Sequence, residues 1–179
     1  MNGPSVKYWV GLAAASLALA GCAGTSGESP ETSMGEEHNS VDVMFAQMMI
    51  PHHDDAIAMG RYLQQSDGVD PEVDALAGDI IEAQTRENSE MNTWLSERDY
   101  PPVTSAPGQV DEQSLAEAST AEVEKAFLTE MIAHHEHGVD MARGAVERGE
   151  SDVMTDLAQT MVDDQSQEIE SMRDLLAKS

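Results

Sequence analysis

FAQMMIPHHDDAIAMGR, residues 45–61, sets two adjacent histidines among methionines, with apolar residues recurring at three- and four-residue spacing. A near copy, FLTEMIAHHEHGVDMAR, fills residues 127–143, 82 positions further on, and seven of the 17 aligned residues are identical: Phe, Met, Ile, His, His, Met and Arg. Such spacing predicts an amphipathic helix in each place. Around the first copy the apolar stripe runs Val41, Met44, Phe45, Met48, Met49, His52, Ala56, Met59 and Leu63, with Ser40 as its expected N-cap. Around the second it runs Phe127, Met131, His134, Gly138 and Met141, behind a Ser119/Glu122 capping box.

Each copy is followed by a further helical pattern. Asp70-Pro71-Glu72 is a start signal, a capping residue with proline at the first helical position, and opens the stripe Val73, Ala77, Ile80, Gln84, Met91 and Leu95. Gly149-Glu150-Ser151 ends the third helix, and Met154, Ala158, Met161, Gln165, Met172 and Leu176 mark a fourth. These second helices also correspond, at an offset of 81: Leu76 with Leu157, Gln84 with Gln165, Glu87 with Glu168, Met91 with Met172. The economical reading is a duplicated helical hairpin, 41–100 and 119–179, joined by a Pro-rich connector, 101–118. Two hairpins with one apolar stripe each bury those stripes by packing as an all-α four-helix bundle. No alternating strand pattern competes with it.

The segment before the bundle reads as an export signal rather than as part of the fold. Lys7 supplies the positive region, Tyr8 to Ala20 is an apolar run without acids, and Leu19-Ala20-Gly21-Cys22 has the small-residue pattern of a lipoprotein cleavage box. The run is shorter than the roughly 20 residues a spanning helix needs. Cys22 is the only cysteine, so it lacks a disulfide partner and is the expected lipidation site. A lipoprotein signal over 1–21 makes the protein extracytoplasmic and lipid-anchored to the cell envelope, on a periplasmic or outer face; a cleaved, soluble secreted protein is the plainer alternative. Residues 22–40, rich in Gly, Ser and Glu, bury too little to order themselves and are expected to form a tether.

The chain carries 34 acidic residues against nine basic ones, a net charge of −25, and loss of Lys7 with the signal makes the exported part more negative still. That field repels nucleic acid and anionic headgroups and concentrates cations. Nucleic-acid binding is therefore not expected. Most of the carboxylates need no role beyond solubility.

On a helical wheel His52 and His134 fall in the middle of the core-facing stripes, His53 and His135 at their flanks, and His137 at the opposite edge. Buried imidazole nitrogens must be satisfied or they cost a few kcal/mol. A lone core histidine is ordinarily hydrogen-bonded, and a methionine stripe is ordinarily packing. Here, however, each His-His pair has a methionine three residues before its first member and another seven after, Met49 and Met59 in one copy, Met131 and Met141 in the other. The candidate metal ligands are thus His52, His53, His134, His135, His137, Met49, Met59, Met131 and Met141. Thioether favours Cu(I) and Ag(I), and imidazole adds Cu(II) and Zn(II), so copper is the expected ion, with silver as its mimic. Gln84 and Gln165, in the middle of apolar stripes, are expected to orient the core rings, and Glu87 and Glu168, acids matched across the copies, are expected beside them as further outer partners, or as ligands themselves were the site a di-iron one. Pro51 interrupts the first pair's helix where the second has Ala133, so the half-sites need not be equivalent.

Met49-Ile50-Pro51-His52-His53 with Ala56 and Met59, and Met131-Ile132-Ala133-His134-His135 with Gly138 and Met141, resemble the ferritin-like family called domain of unknown function 305, over residues 41–179. The resemblance implies a four-helix bundle, an exported or membrane-anchored location and, for some members, copper binding with a role in metal tolerance. The family's usual Gln after the His pair is Asp54 here and Glu136 in the second copy.

Three functions are carried forward. The leading one is a non-enzymatic envelope protein that binds copper or silver and buffers it or passes it on, with a metal-transfer partner or a second copy of the chain as its protein contact. A di-iron oxidase of ferritin-like architecture is the enzymatic rival, but such sites use Glu-x-x-His. The residues three before His52, His53, His134, His135 and His137 are Met49, Ile50, Met131, Ile132 and His134. The third is an interaction module whose histidines complete the core or sense pH near 6.

Overall fold

A computed structural model of the chain describes residues 37–104 and 118–178. The export signal 1–21, Cys22, the tether up to residue 36 and residues 105–117 of the connector lie outside the described residues. Four helices follow in order: α1 Ser40–Leu63, α2 Pro71–Glu97, α3 Thr120–Arg148 and α4 Asp152–Lys178. There is no strand among the described residues, and no helix there is long and apolar enough to cross a membrane. α1 packs along α2 and α3 along α4, the two hairpins meet chiefly through α1 against α3, and α2 approaches α4 more lightly. This is the four-helix bundle predicted from the duplicated stripes.

The caps explain where the helices begin. Asp70 accepts from Glu72 N ahead of Pro71, and Ser119 and Glu122 form the expected capping box. α1 departs from expectation by one residue: Asn39, not Ser40, is its N-cap. The Asn39 side chain accepts from the backbone N–H of Val41 and Asp42, while the Asp42 carboxylate accepts from Asn39 N. Asn caps as well as Ser, and only a cap at 39 places an acid at the third helical position to close the box.

Asp42 does more than cap. It is fully buried, and its Oδ2 also accepts the backbone N–H of Glu150, at 3.0 Å, and of Ser151, at 3.2 Å, in the turn between α3 and α4. Gly149 makes room for this carboxylate, since a Cβ there would collide with Asp42 Oδ1 and stand 2.7 Å from Ala145 O. Ser151 in turn accepts from Trp94 Nε1 of α2 at 3.2 Å. One carboxylate and one hydroxyl thereby tie three helices at one end of the bundle.

The interior falls into two apolar clusters, one at each end. The first draws on Phe45, Met49, Met91, Trp94, Met154 and Met161. The second draws on Leu63, Ile80, Phe127, Met131, Ile169 and Met172. Duplication is visible in this arrangement, because corresponding residues (Phe45 and Phe127, Met49 and Met131, Met91 and Met172) lie in opposite clusters. Met44 and Met48 break the predicted stripe: they are 56% and 54% exposed. The apolar face of α1 is wider than the face its neighbours cover, which periodicity alone does not reveal.

Replacing Asp42 with Ala should lower unfolding free energy by about 3 kcal/mol, the scale of a lost buried charge-assisted hydrogen-bond set. Urea denaturation followed by circular dichroism measures it; a loss under about 1 kcal/mol would mean that the α1 start is not held by this carboxylate.

Candidate metal centre

In every helix the stretch between the two apolar clusters holds polar side chains. α1 contributes His52 and His53, α2 Gln84 and Glu87, α3 His134 and His135, and α4 Gln165 and Glu168, none of them a member of either cluster. His53, His135, Gln84, Glu87 and Gln165 are nevertheless buried. A polar band therefore crosses the middle of an otherwise apolar core.

His53 and His135 occupy its most buried positions, each at 0% exposure. The wheel expectation, His52 and His134 central and their neighbours flanking, is inverted. The second histidine of each pair turns inward between the two helices of its hairpin, where it meets an acid of the partner helix. His53 Nε2 lies 2.7 Å from Glu87 Oε2, and His135 Nε2 lies 2.8 Å from Glu168 Oε2. An ionised carboxylate can only accept, so each ring gives its Nε2 proton to that contact and turns Nδ1 away from it. Both Nδ1 atoms are buried without a hydrogen-bond partner.

His52 and His134 are half-buried and stack on each other across the α1–α3 interface, ring centroids 3.7 Å apart and planes inclined by 27°. His134 Nε2 donates to the His52 backbone carbonyl at 2.9 Å, which fixes the same tautomer and again leaves Nδ1 buried and unpartnered. Neither nitrogen of His52 has a partner. Burial, joined by repulsion from the neighbouring rings, pushes His52 down to about 3 and His134 down to about 4. These rings are neutral at any ordinary pH and keep their lone pairs. The exposed His137 stands beside them, its centroid 5.1 Å from that of His52.

All five imidazoles of the sequence-predicted set thus come together, but the methionines do not join them as one group. Met49 belongs to the first apolar cluster with Met141 packed against it, whereas Met131 belongs to the second, against which Met59 packs. The band has thioethers on both sides rather than within it. Gln84 and Gln165 also differ from expectation: their amide atoms are buried without partners, and the ring-orienting contacts are made by Glu87 and Glu168. Gln165 lies instead against Gly138, where a Cβ would come within 2.5 Å of its Oε1 and 3.1 Å of His52 Cε1. Asp54 and Glu136, the residues after each His pair, bond to their hairpin partners, Asp54 to Asn88 Nδ2 at 2.9 Å and Glu136 to Arg173 Nη2 at 2.6 Å. Sequence reasoning missed Asn88 and Arg173, which carry no repeat or motif signal. Among the described residues no three His, Cys, Asp or Glu side chains converge at metal-ligand spacing. What the band offers is imidazole nitrogens in pairs.

The sequence profile of the Domain of unknown function (DUF305) matches residues 42–176. The chain belongs to this family. Solved DUF305 structures share the fold. One, a protein from Streptomyces coelicolor whose description infers secretion, is 34% identical, with 78% of this chain and 93% of that chain covered and a TM-score of 0.70. A second is CopM in its Cu(I)-bound form, 34% identical over 76% of this chain and 96% of that chain, TM-score 0.67. CopM is also known in apo, Ag-bound and Cu(II)-bound forms. A DUF305 fragment from Deinococcus radiodurans, 23% identical with 79% and 98% covered, has the same fold at a TM-score of 0.70. No curated protein matches the chain.

The depressed ring pKa values set a pH dependence whose sign follows from linkage. Unfolded histidine titrates near 6.5, above the folded values of about 3 and about 4, so the unfolded chain takes up protons first as pH falls. Stability from these rings is complete above about pH 6.5 and drains away toward pH 4, at no more than about 1.4 kcal/mol per pH unit per ring and less after solvent screening. Metal-free protein should melt progressively lower from pH 7 to pH 5, and the His52→Gln/His134→Gln variant should show a flatter profile. A wild-type melting temperature that stays level across that interval would contradict neutral, buried rings.

Proposed function

We propose that this DUF305 protein is an exported, non-enzymatic carrier of monovalent copper, with silver as an alternative cargo, and that the histidine band is where the ion sits. The reading rests on one observation above others: in a closed sulfur-rich bundle, four histidines leave ring nitrogens buried and without hydrogen-bond partners. Such nitrogens are costly unless something meets them. A metal ion is a partner to which imidazole lone pairs donate.

The spacing of the rings supports the choice. An ion held about 2 Å from one nitrogen of each of two imidazoles separates their centroids by roughly 6 Å. The consecutive pairs stand at 6.4 Å for His52 and His53 and 6.1 Å for His134 and His135. His52, His53, His134 and His135 are the proposed ligands, with Met49, Met59, Met131 and Met141 as thioethers within the adjoining packing and His137 at the entrance. Glu87 and Glu168 hold His53 and His135 in the tautomer that binds, the role outer hydrogen-bonding partners play around metals. The lack of convergent acids among the described residues and of Glu-x-x-His at the core histidines favours this over a di-iron oxidase. The kinship with CopM points the same way. Export fits the sequence pattern of residues 1–21, and Cys22 would carry the lipid that anchors the bundle on the outer side of a membrane, where it would buffer copper or hand it to a partner protein.

Titration of the purified protein with Cu(I) against a chromophoric chelator tests the reading. Wild type should compete for the ion, the His52→Ala/His134→Ala variant should bind at least tenfold more weakly, and Glu87→Gln should lose about 10- to 100-fold as its ring loses its orientation. Equal affinity of wild type and the double variant would end the proposal. In the same samples Cu(I) at about 100 times Kd should raise stability by roughly 2.7 kcal/mol.

A further inference from the structure

The exposed methionines of α1 are unexplained by packing, and the second hairpin offers an internal control for them. Met44 and Met48 lie on one side of a groove of about 370 Å³ between α1 and α3; Met141 lies on the other, with Phe45 and Ala145 as its floor and Arg148 at its rim. The duplication builds a related groove at the opposite end, lined by Met59, Val123, Ala126, Phe127 and Glu130 and only about 70 Å³ in volume. Corresponding positions are occupied in both: Met141 answers to Met59 and Phe45 to Phe127, but Met44 answers to Ala126 and Met48 to Glu130. One groove therefore has three thioethers. Its counterpart has one, beside a carboxylate.

Met44 and Met48 are four residues apart on a helix, so they share a face about 5–6 Å apart at Cβ, within reach of one ion for side chains as long and pliable as methionine. Thioether sulfur binds soft monovalent ions and discriminates against hard ones. The charged group at the rim sharpens this preference, since the Arg148 guanidinium, bonded to Gly144 O at 3.2 Å, opposes a dication more than a monovalent ion. The groove also leads somewhere. Met48 is one helical turn before His52, and Met141 is one turn after His137, whose ring stands 5.1 Å from that of His52.

We propose that Met44, Met48 and Met141 form a second, surface site for a soft monovalent ion, the point at which Cu(I) enters before passing along these two helical faces to the histidine band. The site is present in one hairpin only, so the bundle loads from one end. This delivery role rests on the reading of the band as a copper site, but occupation of the groove does not.

Ag(I) titration followed through the methionine ε-methyl resonances separates the two. In the His52→Ala/His134→Ala protein, the first equivalent of Ag(I) should shift the methyls of Met44, Met48 and Met141 and leave those of the buried Met91 and Met172 unmoved, while Zn(II) shifts none of them. With the histidines intact, Met44→Leu/Met48→Leu, a swap that keeps volume and apolarity, should bind one equivalent fewer while the imidazole resonances still respond. Installing Ala126→Met/Glu130→Met should add one equivalent. Unshifted groove methyls, or unchanged stoichiometry in the leucine variant, would overturn the proposal, as would groove shifts that follow protein concentration without Ag(I) and so mark a contact between copies. Wild-type uptake seen only at groove methyls would uphold the groove and refute the band; uptake seen only at imidazoles would do the reverse.

Discussion

A buried imidazole nitrogen has to be met by something, and this bundle is arranged around that requirement. Eight apolar residues in a row would have been simpler to pack through the middle of the helices than His52, His53, His134, His135 and the amides and acids facing them. Instead the core is divided into two apolar clusters by a polar layer. Some of its needs are met internally, by Glu87 on His53, Glu168 on His135 and the His52 carbonyl on His134. Each of these contacts uses Nε2 and leaves Nδ1.

The layer is flanked by thioethers on both sides. Methionine fills much of the flanking clusters beside Phe45, Trp94 and Phe127, and its long thioether adapts to small shifts of the neighbouring rings. Gly138 lets Gln165 and His52 approach α3 closely where the first copy has Ala56. The two halves are related but not interchangeable. Asp54 is held by a neutral amide and Glu136 by a guanidinium, and the exposed methionines belong to one half alone.

Much of the fold was legible because duplication doubles every signal. Four stripes, three start signals and the Gly149 break place the helices, and their pairing follows from the repeat. The displacement of the α1 cap to Asn39 was not legible, because a Ser at 40 is as good a cap in isolation and only the position of Asp42 decides. At the site, the residue types pointed to the chemistry but not to which histidine turns inward. A helix in a bundle faces two neighbours, and a wheel centred on the apolar stripe averages over both. The same averaging assigned Met44 and Met48 to the core and put Gln84 and Gln165 on a par with Glu87 and Glu168, which make the ring contacts. The clamp from Asp42 to the α3–α4 turn joins residues 108 apart and leaves no local pattern at all.

Charge balance bears on which ion the proposed site would take. Each hairpin brings to the layer two imidazoles and one carboxylate hydrogen-bonded to the inner ring. Burial pushes His52 down to about 3 and His134 down to about 4, so these two rings add no positive charge at neutral pH. In a low-dielectric interior, uncompensated charge costs several kcal/mol. An ion of low charge would therefore cost the core less than a divalent one, the same direction as the preference of thioether and imidazole donors for soft ions. Glu87 and Glu168 stand on the far side of the inner rings from Nδ1, where their carboxylates would oppose the charge of a bound ion through the imidazole.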